Sequence, residues 1–386
     1  MKKWISILLA VFLLAGAGTG AFAQENAPEI QTPHAAVMEV STGQILYEKE
    51  ADARVHPASV TKIMTILLTF EALESGEISL EDQVVTSARA KSMGGSQVFL
   101  EEGEVQTVET LLKCIIIASG NDASVAMAEH ISSTEEAFVQ KMNEEAARLG
   151  MENTHFVDCC GLTDSSEHYT SAKDVAIMSR ELLYRFPQVT EYSHIWMEDI
   201  THVTRQGSST FTLTNTNKLL RSYDGCDGLK TGSTSLAKFC LSATARRDGI
   251  RLISVVLGAP DSKTRFSEAG NLLSHGFSMC SIYYDEEMGE PGAAKVKGGK
   301  ADLVDLVYED EFSYLSTTGE DFTQIKKELV LEEDLDAPVE QGQQAGTLVY
   351  TLNGKKIGEV PILAAASVEK ADYSYCLGEV FDSWFL

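Results

Sequence analysis

Positive charge is what this chain has least of. Only 31 lysines and arginines stand against 57 acidic residues, a formal net charge of −26. Such a surface repels nucleic acid and anionic lipid, and the sequence offers no basic patch, zinc knuckle or Gly-rich phosphate loop. No nucleic-acid partner is therefore expected. Metal spacing is missing as well. His194 and His202 stand eight apart and no His-Glu-x-x-His occurs, so neither a metal nor a cofactor is expected. The seven cysteines (114, 159, 160, 226, 240, 280 and 376) make no regular framework, and the adjacent Cys159-Cys160 pair does not resemble a small disulfide scaffold. An odd count leaves at least one thiol unpaired within an exported chain. Most of them read as buried small apolar residues. The strongest apolar run is also shorter than the ~20 residues of a membrane-spanning helix.

That run has another reading. Met1-Lys2-Lys3, an apolar stretch from Trp4 to Leu14 and the ending Ala21-Phe22-Ala23 predict a secretory signal peptide over residues 1–23, cut before Gln24. An uncleaved anchor is the alternative. Loss of Lys2 and Lys3 would take the formal charge to −28. The mature chain of about 360 residues suffices for two domains, working outside the cytoplasm.

After Pro57, the residues Ile63, Met64, Ile66, Leu67, Leu68, Phe70 and Leu73 are apolar nearly all round, as in a helix inside a large domain. A serine and a lysine at its first turn need a reason. Ser59 and Lys62, three apart, share a helix face, which suits a nucleophile and its base. A free lysine with pKa about 10.4 is protonated at neutral pH. Burial and the positive end of the helix dipole would both disfavour that charge. Neutral Lys62 could then accept the hydroxyl proton. Alternatively, Ser59 is a plain helix cap and Lys62 snorkels to water.

Elsewhere the pattern alternates helices and hairpins. Ala35–Val40 and Gln44–Glu48 read as two strands joined by a turn at Ser41-Thr42-Gly43, and Gly94-Gly95-Ser96 reads as a loop over a cleft. Thr107 to His130 reads as two helices broken at Ser119-Gly120-Asn121-Asp122, which sets a hydroxyl and an amide at the edge of the interior. An ordinary turn capped by Asn121 or Asp122 is the bland alternative. Phe138–Leu149 and Ser171–Tyr184 read as helices. Lys230-Thr231-Gly232 opens a sheet continued by the hairpin of Phe239–Thr244 and Ile250–Leu257. Gly232 would let an extended peptide lie against the strand, and Lys230 and Thr231 offer a cation and a hydroxyl to a carboxylate. Beyond Tyr283 short alternating runs predict a small all-β domain, with an Asn353-Gly354 hairpin. The last residues, Tyr373, Leu377, Val380, Phe381, Trp384 and Phe385, recur at helical spacing and could lie on a membrane, although Glu369, Asp372, Glu379 and Asp382 leave the polar face acidic.

Three weak signals in fixed order make a strong one. Ser59-x-x-Lys62, Ser119-Gly120-Asn121 and Lys230-Thr231-Gly232, sixty and then one hundred and eleven residues apart, resemble the three motifs of penicillin-recognising serine enzymes. More narrowly, residues 30 to 365 resemble the serine-type D-alanyl-D-alanine carboxypeptidases of peptidase family S11, through Ser59-Val60-Thr61-Lys62-Ile63-Met64-Thr65, Ala118-Ser119-Gly120-Asn121-Asp122-Ala123 and Asp227-Gly228-Leu229-Lys230-Thr231-Gly232.

The resemblance implies an α/β (α+β) penicillin-binding-protein/β-lactamase-like catalytic domain at 24–280, a small β-rich domain at 281–367 and a membrane-associating segment at 368–386. It implies removal of the terminal D-alanine from peptidoglycan stem pentapeptides through an acyl-enzyme on Ser59. The partners implied are stem peptides ending in D-Ala-D-Ala and β-lactam antibiotics, met in the cell envelope on the outer face of the cytoplasmic membrane. On the same basis Lys62 accepts the proton, Ser119 relays protons to the leaving group and Asn121 holds the substrate amide. Lys230 and Thr231 bind the terminal carboxylate. The N–H groups of Ser59 and Ser233 form the oxyanion hole beside Gly232, worth about 3 kcal/mol per donor in comparable enzymes. Arg265 matches an arginine placed near that carboxylate; a surface arginine is its alternative.

Two departures stand out: the acidic C-terminal segment, and Cys159-Cys160 in a loop relatives fill otherwise. A β-lactamase, an endopeptidase using the same residues, and an inactive wall-binding protein of the same fold are the rival readings. Class A β-lactamases read Ser-Asp-Asn where this chain has Ser119-Gly120-Asn121, and lack a trailing β domain.

Overall fold

Two features of the chain position everything else: an antiparallel sheet whose last strand carries Lys230, and a buried helix that begins at Lys62. A computed structural model describes residues 27–384 except Gln206 and Glu333, so the expected signal peptide lies outside the described residues. Contacts divide the chain between Ser278 and Met279. In order, the first unit runs β1 (His34–Glu39), β2 (Ile45–Lys49), α1 (Lys62–Glu74), β3 (Gln83–Val85), α2 (Ala88–Lys91), β4 (Val105–Thr107), α3 (Val108–Ile116), α4 (Asn121–Ser132) and α5 (Glu135–Arg148). It continues with α6 (Ala172–Arg185), α7 (Val189–Ser193), β5 (Met197–Thr204), β6 (Gly207–Thr214), β7 (Cys226–Thr234), β8 (Lys238–Arg247), β9 (Ile250–Ala259) and α8 (Ser262–Met279).

The central sheet has the order β2-β1-β9-β8-β7, antiparallel throughout. Period-2 alternation gives it two apolar faces. Ala36, Met38, Ile253 and Val255 join the large core with α1, α3, α4 and α6, and Ser179 of α6 hydrogen-bonds Ser242 of β8 across it. On the opposite face α8 comes so close that a Cβ on Gly276 would lie 2.8 Å from Leu252 and 3.0 Å from Val37. The sheet thus lies between helical layers, with β7 at one edge. Helix α1 is buried from Lys62 to Phe70 without a solvent face, as its all-round apolar run requires.

Among the described residues the second unit is all-β apart from a 3₁₀ turn at Phe322–Gln324 and its last helix. Strands β10 (Ser281–Tyr284) and β13 (Ser313–Ser316) pair, and a six-stranded sheet follows the order β14-β16-β17-β12-β11-β15. Those strands are β11 (Ala293–Lys297), β12 (Leu303–Tyr308), β14 (Ile325–Leu331), β15 (Leu335–Asp336), β16 (Gln344–Leu352) and β17 (Lys355–Ala364). Asn353 and Gly354, at φ 50° and 80°, turn the β16–β17 hairpin as a two-residue loop with two left-handed residues should. Tyr350 is fully buried on β16, stacked 3.5 Å from Phe312, and its hydroxyl donates to Asp285. Helix α9 (Tyr373–Trp384) ends the described chain, with Tyr373, Leu377 and Val380 exposed.

Candidate active site

The nucleophile turn is tighter than the sequence pattern predicts. Residues Ala58–Thr61 form a 3₁₀ turn and the α-helix starts only at Lys62. Ala58 sits at φ +48°, a conformation costly to a residue with a Cβ and typical of functional sites. No side chain caps either helix, and Lys62 is completely buried. Both observations remove the alternative of a capping serine with a snorkelling lysine.

The Lys62 amine meets three oxygens: Ser59 Oγ at 3.0 Å, Asn121 Oδ1 at 2.6 Å and the Cys160 carbonyl at 2.8 Å. Burial pushes the Lys62 pKa down, and among the described residues no carboxylate forms an ion pair with it. A neutral amine has two N–H donors and one lone pair. Asn121 Oδ1 and the Cys160 carbonyl can only accept, so they take the two N–H groups. The lone pair is left for the Ser59 hydroxyl proton, which is the geometry a general base needs.

Ser119 and Asn121 come to the same place by a different route. Helix α3 stops at Ile116, Ser119 adopts φ +61°, and α4 begins at Asn121 with no side-chain cap, so the capped-turn alternative is not what the turn does. Ser119 Oγ accepts from Lys230 Nζ at 2.8 Å. The Asn121 amide donates to the Gly94 carbonyl, which orients its Oδ1 toward Lys62. The loop over the cleft is tied on by Asp122, whose carboxylate accepts from the Val98 and Leu100 N–H groups.

Edge strand β7 closes the site. A Cβ on Gly232 would lie 2.8 Å from the Pro57 carbonyl and 3.0 Å from the Ser59 and Val60 nitrogens. Only glycine lets β7 and the nucleophile turn approach this closely. Lys230 is 1 % exposed and Thr231 6 %, while Ser233 is exposed. Burial drives the Lys230 pKa well down, and the charges of Lys62 and Arg265 drive it further. Arg265 is no surface arginine. It is 6 % exposed and donates to the carbonyls of Gly232 (3.1 Å) and Cys240 (3.2 Å), and burial pulls its pKa down to about 10. The basic side chains of Lys230 and Arg265 are thus buried together beside the neutral Lys62, and neither has an ion-pair partner among the described residues. Buried charge without compensation is costly; an incoming carboxylate would supply the missing partner.

The Cys159-Cys160 loop, unexplained in the sequence, is part of this structure. Asp158 accepts from the N–H groups of Cys160, Gly161 and Thr163, folding the loop so that the Cys160 carbonyl faces Lys62. Thr65 donates to the Cys159 carbonyl. His168 accepts from Val157 N through Nδ1 and so donates through Nε2 to Thr61 Oγ1, at 2.8 Å. Burial lowers its pKa to about 4, and the ring is neutral. These groups escaped the sequence reading because a backbone carbonyl has no residue-type signature. The only visible signal was the unusual cysteine pair.

Comparison with known proteins gives consistent matches. The family described as D-alanyl-D-alanine carboxypeptidase matches residues 21–261, and the C-terminal domain of penicillin-binding protein 5 matches 278–370. The D-alanyl-D-alanine carboxypeptidase DacF of Bacillus subtilis is 41 % identical over 390 residues, covering 100 % of this chain and 99 % of its own. DacC of Escherichia coli is 34 % identical, covering 96 % and 92 %. Among solved structures, penicillin-binding protein 5 of Haemophilus influenzae superposes with a TM-score of 0.66 at 31 % identity, covering 89 % of this chain and 99 % of its own. PBP3 of Streptococcus pneumoniae reaches 0.71 at 28 %, covering 88 % and 100 %.

Proposed function

The chain belongs to the D-alanyl-D-alanine carboxypeptidase family, and on that premise we propose that Ser59 carries the acyl group when the enzyme removes the terminal D-alanine from peptidoglycan stem pentapeptides. The enzyme is a serine-type D-Ala-D-Ala carboxypeptidase of the penicillin-binding kind. In the proposed cycle the Ser59 oxygen attacks the carbonyl of the penultimate D-alanine while its proton passes to Lys62. The C–N bond breaks, the leaving amine takes a proton by way of Ser119, and D-alanine departs. Water then attacks the ester, returning the Ser59 proton and freeing the shortened peptide. The backbone N–H groups of Ser59 and Ser233 are assigned to the oxyanion, and Lys230 and Thr231 to the terminal carboxylate, with Asn121 and Arg265 holding the lysine and the strand in place.

The observation that carries this reading is the Lys62 amine, its N–H groups committed to Asn121 and Cys160 and its remaining valence 3.0 Å from Ser59. Incubation with penicillin and mass spectrometry of the intact protein tests it. The expected result is a long-lived one-to-one adduct that maps to Ser59, together with D-alanine release from a D-Ala-D-Ala peptide. Rapid penicillin turnover with no trapped species would falsify the peptidase reading in favour of a β-lactamase. Failure to react with either ligand points to an inactive wall-binding protein.

Export is part of the proposal, supported by the basic start, apolar stretch and Ala-x-Ala ending of residues 1–23. So is a peripheral membrane contact through α9. Among the described residues no helix is long and apolar enough to cross a membrane, but Tyr373, Leu377 and Val380 are exposed at helical spacing, the pattern of a helix lying on a surface. Deleting residues 369–386 should move the protein from the membrane pellet to the supernatant; an unchanged soluble fraction ends the idea.

A further inference from the structure

The six-stranded sheet of the second unit ends differently on its two sides. At one side stands β15, only two residues long, and a very short last strand is one way in which sheets avoid joining other chains. At the other stands β14, which pairs with β16 over all seven of its residues, Ile325 to Leu331, and has no strand beyond it among the described residues. In an antiparallel edge strand every second residue turns its N–H and C=O outward, which leaves a row of groups open to another strand. The side chains are open as well. Lys326 to Val330 are all exposed. Ile325 and Leu331 pack on the domain core, and Lys327 on the same face binds Asp285, so Leu329 belongs to the core-facing side too. It is nonetheless 44 % exposed, and Val330 on the opposite face is 50 % exposed.

We propose that β14 is an interaction surface for a second copy of this chain, the two β14 strands pairing antiparallel about a two-fold axis at Leu329. The pattern of charge selects both this partner and this register. A two-fold axis perpendicular to the sheet sets each residue opposite the one equally far beyond the centre. About Leu329 it sets Leu329 against itself, Lys327 against Leu331, Glu328 against Val330 and Lys326 against Glu332. Glu332 is exposed and extends the ladder by one residue, its N–H bonding the Ala345 carbonyl. The Lys326–Glu332 pair occurs twice by symmetry, and opposite charges facing each other across strands stabilise a sheet where like charges destabilise it. Neighbouring centres fail this test. About Lys327 or Glu328 the central charge meets its own copy, and about Val330 the two carboxylates Glu328 and Glu332 meet. The pairing joins two six-stranded sheets into one, covers Leu329 and Val330, and gives the outward backbone groups partners, as in strand addition. The formal charge of −26 on each copy opposes association. At physiological salt, however, charges more than about 8 Å apart are largely screened, whereas Lys326 and Glu332 would touch.

Analytical ultracentrifugation of the full chain at physiological salt, over a range of concentrations, tests the pairing on wild type, Lys326→Glu, Glu332→Lys and the double exchange Lys326→Glu/Glu332→Lys. Both positions are exposed, so the variants should fold, and circular dichroism checks that they do. Wild type should show a monomer–dimer equilibrium. Each single reversal sets like charges opposite one another twice and should weaken dimerisation by about tenfold or more. The double exchange restores opposite charges at unchanged net charge and should return the dimer to within about threefold of wild type. A wild type that stays monomeric at its highest soluble concentration overturns the proposal. So do single variants that dimerise as well as wild type, the result expected if the exposed residues of α9 held two copies together instead. A double variant that dimerises no better than the singles overturns it as well.

Discussion

Lys62→Arg should lower the rate of penicillin acylation by about a hundredfold to ten-thousandfold while leaving the protein folded. Arginine offers more N–H donors than lysine, enough for the Asn121 and Cys160 oxygens, but it stays protonated in proteins and has no lone pair to give. The substitution therefore separates holding the site together from taking a proton. Wild type should show the complementary pH dependence. Burial lowers the Lys62 pKa, so the amine becomes a competent base as pH rises through that depressed value. Acylation should climb with pH over that limb and fall away below it, where Lys62 is charged. In Lys62→Arg the limb should disappear, because the residue does not titrate. Stopped-flow acylation with a fluorescent penicillin across pH, with circular dichroism to check folding, measures both effects. An arginine variant that acylates within tenfold of wild type, or keeps the same pH limb, would show that the proton goes elsewhere.

That result depends on groups with unequal visibility in the sequence. Ser59 and Lys62 were legible because a polar pair at the start of an apolar run is an anomaly at the level of composition, whereas Ser119 and Lys230 stood out only through the order and spacing of the three motifs. The β1–β2, β8–β9 and β16–β17 hairpins and the α3–α4 break were legible for the same kind of reason, since period and turn residues agree with the final fold. The 3₁₀ turn under Ser59 was not, because it arises from the approach of β7 and Gly161 rather than from anything in Ala58–Thr61. Arg265 was legible only through the resemblance, with a surface arginine as its alternative, because nothing in Lys263-Thr264-Arg265 shows that the fold turns the guanidinium inward against the Gly232 and Cys240 carbonyls. Helix α8 and the β5–β6 hairpin went unread. Helix α8 is polar enough, with Ser262, Lys263, Thr264, Ser267, Ser274 and Ser278, to lack a clear apolar period.

The site is also electrostatically unfinished. Lys62, Lys230 and Arg265 have lowered pKa values for the same first reason, burial, and the oxygens each of them meets are neutral. A site designed for stability alone would pair these charges or replace them with apolar residues. Their arrangement makes sense when an anion completes it.

Gly161→Ala should be the most damaging glycine-to-alanine change among the described residues. Gly161 has φ +76°, and an added Cβ would lie 1.9 Å from the Ala58 carbonyl oxygen, 2.4 Å from its carbon and 2.7 Å from Thr61 Oγ1. The first two are backbone atoms and cannot rotate away. Ala58 cannot yield easily either, since its own φ of +48° is already strained. A left-handed alanine costs about 1 kcal/mol or more and overpacking roughly 1–3 kcal/mol. The sum, about 2–4 kcal/mol, should lower the Tm by roughly 5–15 °C. The chemistry should fail as well. Gly161 follows Cys160, whose carbonyl holds one Lys62 N–H, and it presses on the residue before Ser59, so relief of the clash moves the base or the nucleophile. Gly103→Ala is the control: Gly103 has φ +79° with nothing within 4 Å of an added Cβ, so it carries the backbone cost alone and should acylate at the wild-type rate. Calorimetry with penicillin-binding kinetics on both variants decides the matter. If Gly161→Ala loses no more Tm than Gly103→Ala and acylates as fast, the Cys160 loop does not hold Lys62, and the assignment of its two N–H groups falls with it.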